Sequence, residues 1–320
     1  MAKQYVVGID IGGQTSKLGV VDARGDVLSQ TVIRTDTFGS DADAYIAALA
    51  EAVKSCVKQA DKTLDDIRGI GVGAPNGNYY TGVVAFAPNL AWAAGQAVPL
   101  SEKLSAACGL PVSLTNDANA AAVGEMAYGA ARGMKNFIMI TLGTGVGSGI
   151  VVDGKVLYGH DGFAGELGHT CVVRNNGRVC GCGKTGCLEA YCSAIGIART
   201  AREWLEASGQ PTPLRDLQNI TSKDIYDAAK QGDNFSLRLF DYTGTLLGQS
   251  FADFVAFSAP EAIVLFGGLA RAKEFLYEPM KRAMDENLLK IWKGKVKIVF
   301  SELKESDAAI LGASALAWEL

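Results

Sequence analysis

Apolar residues in this chain come in short runs interrupted by glycine. Residues 6–22 read VVGIDIGGQTSKLGVVD: an apolar run, a glycine turn, then a second apolar run. That pattern predicts a β-hairpin with an unusual turn. Residues 137–153, FIMITLGTGVGSGIVVD, repeat it at a constant offset of 131. Asp10 falls on Thr141, Gly12 on Gly143, and Val20-Val21-Asp22 on Val151-Val152-Asp153. The repeat predicts a duplicated domain whose two copies each open with a glycine hairpin. Further apolar runs predict strands over 27–33, 67–72, 111–115, 262–266 and 296–300. Helical spacing predicts helices over 43–58, 118–128, 195–207, 222–230, 237–257 and 308–319. Strands alternating with helices place the chain in the α/β class.

Composition narrows this reading. With 320 residues the chain has room for two domains, and 48% hydrophobic against 20% charged residues is enough to build buried cores. Its 38 glycines gather in short clusters, which points to turns where backbone approaches a ligand. A net charge of −4 argues against nucleic acid as a main partner, since phosphate neutralisation needs a basic surface. No stretch approaches a membrane span, and MAKQYVVGID has no secretory pattern. The expected setting is the cytoplasm, where the seven cysteines would be reduced.

Converging N–H groups in a glycine turn form a site for phosphates. The expectation is that two such turns, one per half, face each other across a cleft that takes a triphosphate. Simpler nucleotide motifs fail: no G-x-G-x-x-G follows Gly143 or Gly145, and the P-loop ending Gly183-Lys184-Thr185 would need glycine where Arg178 stands. Asp10 ends the first predicted strand, where a carboxylate can hold Mg²⁺ through water. Gly267-Gly268 follow an apolar strand and suit either an adenosine site or a plain strand-to-helix turn.

Four cysteines lie in VCGCGKTGCLEAYC, with GELGH upstream. His169, Cys180, Cys182 and Cys187 are candidate ligands of a closed tetrahedral zinc site; His160 is an alternative to His169, and Cys171 and Cys192 are spare thiols. Cys-x-Cys spacing is too tight for an unstrained disulfide. Four protein ligands leave no open position, so the zinc would be structural. It would anchor Glu166 and Glu189, two carboxylates suited to sugar hydroxyls, which are otherwise solvated surface groups. Asn116-Asp117 precede an alanine-rich helix and read as N-caps, or as a general base, Asp117, that orients a hydroxyl for phosphoryl transfer.

The motifs DIGGQTSKLGVVD, GAPNG, APNLAW, NDANAAAVGE, ITLGTGVGSG, GELGH, CGCGKTGCLEA and LFGGLA run in order from residue 10 to residue 270. The chain resembles the ROK family (repressors, open reading frames, kinases) and within it the bacterial glucokinases. The resemblance implies an α/β, two-domain actin-like sugar kinase ATPase (ribonuclease H-like) fold, with a cleft between duplicated domains: 1–118 with 305–320, and 119–304. It implies ATP-dependent phosphorylation of a hexose, glucose above all, at the 6-hydroxyl. It assigns Asp117 as base, sugar contacts to Asn116, Asp117, Glu166, His169 and Glu189, and zinc to His169, Cys180, Cys182 and Cys187. It also implies a homodimer or tetramer, with domains that close over the sugar. Nucleotide and Mg²⁺ contacts are expected from Asp10, Gly12, Gly13, Gln14, Thr15, Lys17, Thr141, Gly143, Thr144, Gly145, Gly267 and Gly268.

Three departures stand out. Gln14 replaces the usual threonine, with Thr15 next, which leaves open the phosphate-touching side chain and any part for Lys17. Pro75-Asn76-Gly77 replaces a Pro-Gly pair, making Asn78 a candidate sugar contact. The gap from His169 to Cys180 is one residue longer than usual. Kinases for N-acetylmannosamine, fructose or allose fit the same pattern. A non-catalytic sugar-sensing regulator is the rival class; its repressor form carries a DNA-binding domain ahead of the first strand, for which a strand beginning near Tyr5 leaves no room.

Overall fold

The structure is a computed structural model that describes residues 3–320. The chain forms two compact units: one takes residues up to Met134, Gly154–Gly165 and Glu302–Leu320; the other takes Lys135–Asp153 and Glu166–Ser301. In chain order the first unit begins with β1 (Tyr5–Ile11), β2 (Thr15–Asp22), β3 (Val27–Arg34), α1 (Ala42–Gln59), β4 (Ile67–Gly73), the short pair β5 (Val84–Ala85) and β6 (Ala97–Val98), α2 (Leu100–Cys108), β7 (Val112–Thr115) and α3 (Asp117–Tyr128). The second unit opens with β8 (Phe137–Leu142) and β9 (Val146–Val152). After β10 (Lys155–Val156), which belongs to the first unit, it continues with α4 (Glu189–Cys192), α5 (Ala194–Ala207), α6 (Ser222–Lys230), α7 (Asn234–Ser258), β11 (Ala262–Phe266), α8 (Lys273–Asn287) and β12 (Lys297–Phe300). The last helix, α9 (Glu305–Leu316), returns to the first unit.

The duplication expected from the sequence is visible in the strand order. The first sheet runs β3-β2-β1-β4-β7, and β9-β8-β11-β12 in the second unit repeats β2-β1-β4-β7. In both, the glycine hairpin is antiparallel and the two following strands are parallel.

Side-chain alternation fixes which face of the first sheet does what. On β1, Val7, Ile9 and Ile11 point into the core against α1 residues such as Tyr45, Leu49 and Val53. Val6 and Gly8 take the other face, under α9: Val6 packs with Ile310 and Leu311, and a Cβ on Gly8 would sit 2.1 Å from the Ile310 carbonyl oxygen. Gly71 on β4 does the same against Ala313, at 1.9 Å. These glycines let α9 lie directly on the strands. Asp10 shares the Val6–Gly8 face by alternation.

The units divide otherwise than at residue 118. Helix α3 stays with the first unit because it crosses α9 at Gly124 and Gly312, where an added Cβ would stand 2.6 Å from the opposing Cα. Residues 154–165 are tied there too, through Val156 against α3 and the Tyr79–Tyr158 ring stack at 4.0 Å. The second core is built on Ile138, Ile140 and Leu142 of β8, with α7 and α8 side by side across Gly244 and Gly248. No described helix is long and apolar enough to cross a membrane.

Candidate active site

In the first unit the parallel strands end in a row: Asp10 of β1 lies beside Gly73 of β4, which lies beside Thr115 of β7. Ligands of open α/β sheets collect at such carboxyl ends. Asn116 caps α3 by accepting the Asn119 N–H at 2.7 Å, and Asp117 Oδ1 accepts the Ala118 N–H at 2.9 Å. Capping and an outward carboxylate therefore coexist. Asp117 keeps an exposed face, yet the protein crowded around its carboxyl raises its pKa. Asp10 is pushed up to about 6, first by burial and then by the Asp117 charge, while Lys17, its register partner on β2, pulls the other way. A buried carboxyl raised further by a neighbouring carboxylate calls for a cation, which fits Mg²⁺ at Asp10.

The β1–β2 turn holds Gly12, Gly13 and Gln14. Gly12 N–H donates to Thr15 C=O at 3.0 Å, and Gly13 is pressed on the Asn89 carbonyl, where a Cβ would come within 2.8 Å. Gln14 and Lys17 are exposed. Asn78 is buried, and its amide is largely spent on the fold: its oxygen accepts the Tyr80 and Thr81 N–H groups, and its nitrogen donates to Asp161 C=O at 2.6 Å.

The second unit gathers the cysteine motif. One ligand atom from each of His169, Cys180, Cys182 and Cys187 lies within 4.8 Å of all the others. His160, Cys171 and Cys192 are not in the group; Cys192 points at the Thr243 carbonyl. Cys182 and Cys187 sulfurs are 3.7 Å apart, and Cys180 Sγ is 3.8 Å from His169 Nδ1. A tetrahedral zinc with Zn–S bonds of about 2.3 Å has edges of about 3.8 Å, so donor set and spacing both fit. Burial pushes the Cys180 thiol up to about 12, so a thiolate at Cys180 needs a cation. The loop folds back on itself where Gly183 and Gly186 take positive φ, with Cys180 N–H donating to Lys184 C=O at 2.8 Å.

The two glutamates are placed by this cluster. With Nδ1 facing the sulfurs, the other ring nitrogen of His169 faces Glu166 Oε2 at 4.0 Å. Glu189 Oε1 meets Cys180 Sγ at 3.4 Å and its Oε2 accepts the Val146 N–H at 3.0 Å. Glu189 thus touches the turn after β8, where Gly143, Thr144 and Gly145 lie. A Cβ on Gly145 would stand 2.4 Å from Oε2, which explains the glycine. Thr141 Oγ1 accepts the Gly147 N–H at 3.1 Å within the same hairpin. Gly267 closes β11 at φ 105, with a Cβ position only 2.6 Å from the Leu142 carbonyl, and Gly268 next to it is exposed.

Two residues escape a reading by motif. Ser148 Oγ accepts the Leu167 N–H at 2.9 Å and so positions the GELGH segment; its place in GVGSG was the available signal. Arg178, noticed only because it spoils a P-loop, is buried beside the cysteine loop.

The sequence profile of the ROK family matches residues 6–319. A glucokinase of Halalkalibacterium halodurans is 39% identical over 88% of this chain and 86% of its own length. A glucokinase of Thermotoga maritima is 35% identical over 99% of this chain and 98% of its own. Among solved structures, a ROK family glucokinase from Streptomyces griseus in complex with glucose and AMPPNP superposes with a TM-score of 0.80 at 32% identity, covering 99% of this chain and 100% of that one. The fold is the two-domain actin-like ATPase fold of the ROK sugar kinases, and this chain belongs to the ROK family.

Proposed function

We propose that the protein is an ATP-dependent hexose kinase that phosphorylates D-glucose at its 6-hydroxyl, giving glucose 6-phosphate and ADP. The observation that carries this is Asp117. It is a crowded carboxylate with a raised pKa at a strand end, fixed by the Ala118 N–H, in a chain 35–39% identical to glucokinases. A raised pKa brings a general base closer to the working pH. Asp117 orients the 6-hydroxyl and takes its proton as the oxygen bonds to the terminal phosphorus; ADP leaves with the electron pair of the broken P–O bond.

Asn116, Glu166, His169 and Glu189 hold the other hydroxyls. His169 does so through Nε2 while Nδ1 serves the metal. Asn78, with its amide engaged by Tyr80, Thr81 and Asp161, shapes the adjoining loop and has at most one N–H to offer a sugar. The turn residues Gly12, Gly13, Gln14 and Thr15, with Lys17, and Thr141, Gly143, Thr144 and Gly145 receive phosphates; Gly267 and Gly268 border the adenosine. Asp10 would hold Mg²⁺ through water, and the ion when bound neutralises phosphate charge. The zinc held by His169, Cys180, Cys182 and Cys187 is structural. We place the enzyme in the cytoplasm as a homo-oligomer, a dimer or tetramer.

The test is ADP release from ATP and Mg²⁺ with glucose, N-acetylmannosamine, fructose and allose in parallel. Glucose should give the highest kcat/KM, and Asp117→Asn should cut kcat by at least about a hundredfold while glucose still binds. Turnover with no hexose, or a preference for another of the four, overturns the assignment.

A further inference from the structure

Arg178 does more than fill space next to Cys180. Its side chain is 9% exposed, and a guanidinium seldom sits so deep unless its donors are used. Nε and Nη2 donate to Glu203 Oε2 at 3.0 and 2.5 Å; Nη1 donates to the carbonyls of Ala190 and Gly196 at 3.0 and 3.3 Å. The guanidinium also lies 4.4 Å over the Tyr191 ring, and the Tyr191 hydroxyl accepts the Arg178 N–H at 2.8 Å. A second arginine, Arg199, braces the same group from α5: it donates to Glu203 Oε1 at 2.9 Å and to Val179 C=O at 3.3 Å.

These contacts join three pieces of chain. Arg178 precedes Cys180 by two residues. Ala190 and Tyr191 directly follow Glu189 in α4, a helix of only four residues that cannot hold its own shape. Glu189 is therefore fixed on its N-terminal side by the ligand Cys187 and on its C-terminal side by Arg178. We infer that Arg178 is a positioning residue: a metal-independent clamp that holds the cysteine loop closed and sets Glu189 for the sugar. Its role in sugar binding rests on the kinase reading; its role in holding metal does not.

The experiment compares full-length, zinc-loaded wild type with Arg178→Met, Arg178→Lys and Glu203→Gln. Four quantities are read: thermal midpoint, zinc transfer to a colorimetric chelator, and the KM values for glucose and for ATP. Losing the buried charged hydrogen bonds should speed zinc transfer about tenfold and raise the glucose KM about tenfold, with the ATP KM within about twofold. Lysine keeps the charge but not the planar fork, so Arg178→Lys should fall between. A folded Arg178→Met with wild-type zinc transfer and glucose KM overturns the inference. If Arg178→Met does not fold, Glu203→Gln decides: it should move both quantities about threefold, and wild-type values for both overturn it. If no hexose is phosphorylated, the kinase reading fails, while the zinc-transfer rate still tests the clamp.

Discussion

At the scale of single residues, Asp10 carries a cost that function explains. Its carboxyl is raised from 3.8 to about 6 by burial and by Asp117. A group whose folded pKa lies above its unfolded value stabilises the fold fully only below the unfolded pKa, and that contribution is lost as pH rises through the folded one. At neutral pH the ionised Asp10 therefore destabilises the empty protein. Asp10→Asn should be more stable than wild type at pH 7 without nucleotide, by about 1–2 kcal/mol or roughly 2–8 °C. The gain should shrink as pH falls through about 6 and vanish by about pH 3, below the unfolded pKa, where the wild-type carboxyl is largely protonated in both states. Activity should collapse in the same variant, since the amide gives up the charge that would hold the cation. Melting curves at the two pH values check this; a variant no more stable than wild type at pH 7 refutes the electrostatic account.

At the scale of elements, one substitution should act in two ways according to what the new methyl meets. On β4, a Cβ at Gly71 would lie 1.9 Å from a carbonyl oxygen of α9, and helix backbone cannot step aside. Gly71→Ala should cost about 3 kcal/mol or more, or prevent folding. In the β8–β9 turn, a Cβ at Gly145 meets only the end of Glu189, but that carboxylate is occupied by Val146 N–H and Cys180. Gly145→Ala should keep a near-native thermal midpoint and lose about tenfold or more in kcat/KM as Glu189 is displaced. Equal thermal losses in the two variants would contradict the distinction.

The same contrast shows what could be read from sequence. The hairpins, β4, β11, α1 and α5 carry runs whose period is local, and the cysteine spacing is local too. Helix α8 hid because KEFLYEPMKRAMDEN holds Pro279 inside a charged stretch, and its apolar side is completed by Gly244 and Gly248 of α7. The Glu189–Val146 and Arg178–Glu203 bonds span 43 and 25 residues. No period or spacing encodes such pairs, so the motif reading named Glu189 but not its tie to the turn, and missed Arg178's role.

At the scale of the whole molecule, the two units are built on the same strand order but held together differently. The first core rests on glycine strands under α9 and on α1. The second has its own core, and only it carries the His169–Cys187 cluster. Metal binding there is folding free energy of that unit, because the unfolded chain does not present the four ligands together. The protein should carry about one zinc per chain. Stripping it should lower the unfolding temperature of the second unit by roughly 2–4 °C per kcal/mol lost, while the first unit keeps its own. One calorimetric transition should then become two. Hydrogen exchange assigns them: amides of β8 should lose protection in the metal-free protein while those of β1 keep theirs. If metal content confirms the zinc is gone and β1 and β8 open together, or neither changes, then the cluster does not stabilise its unit in the way its geometry implies.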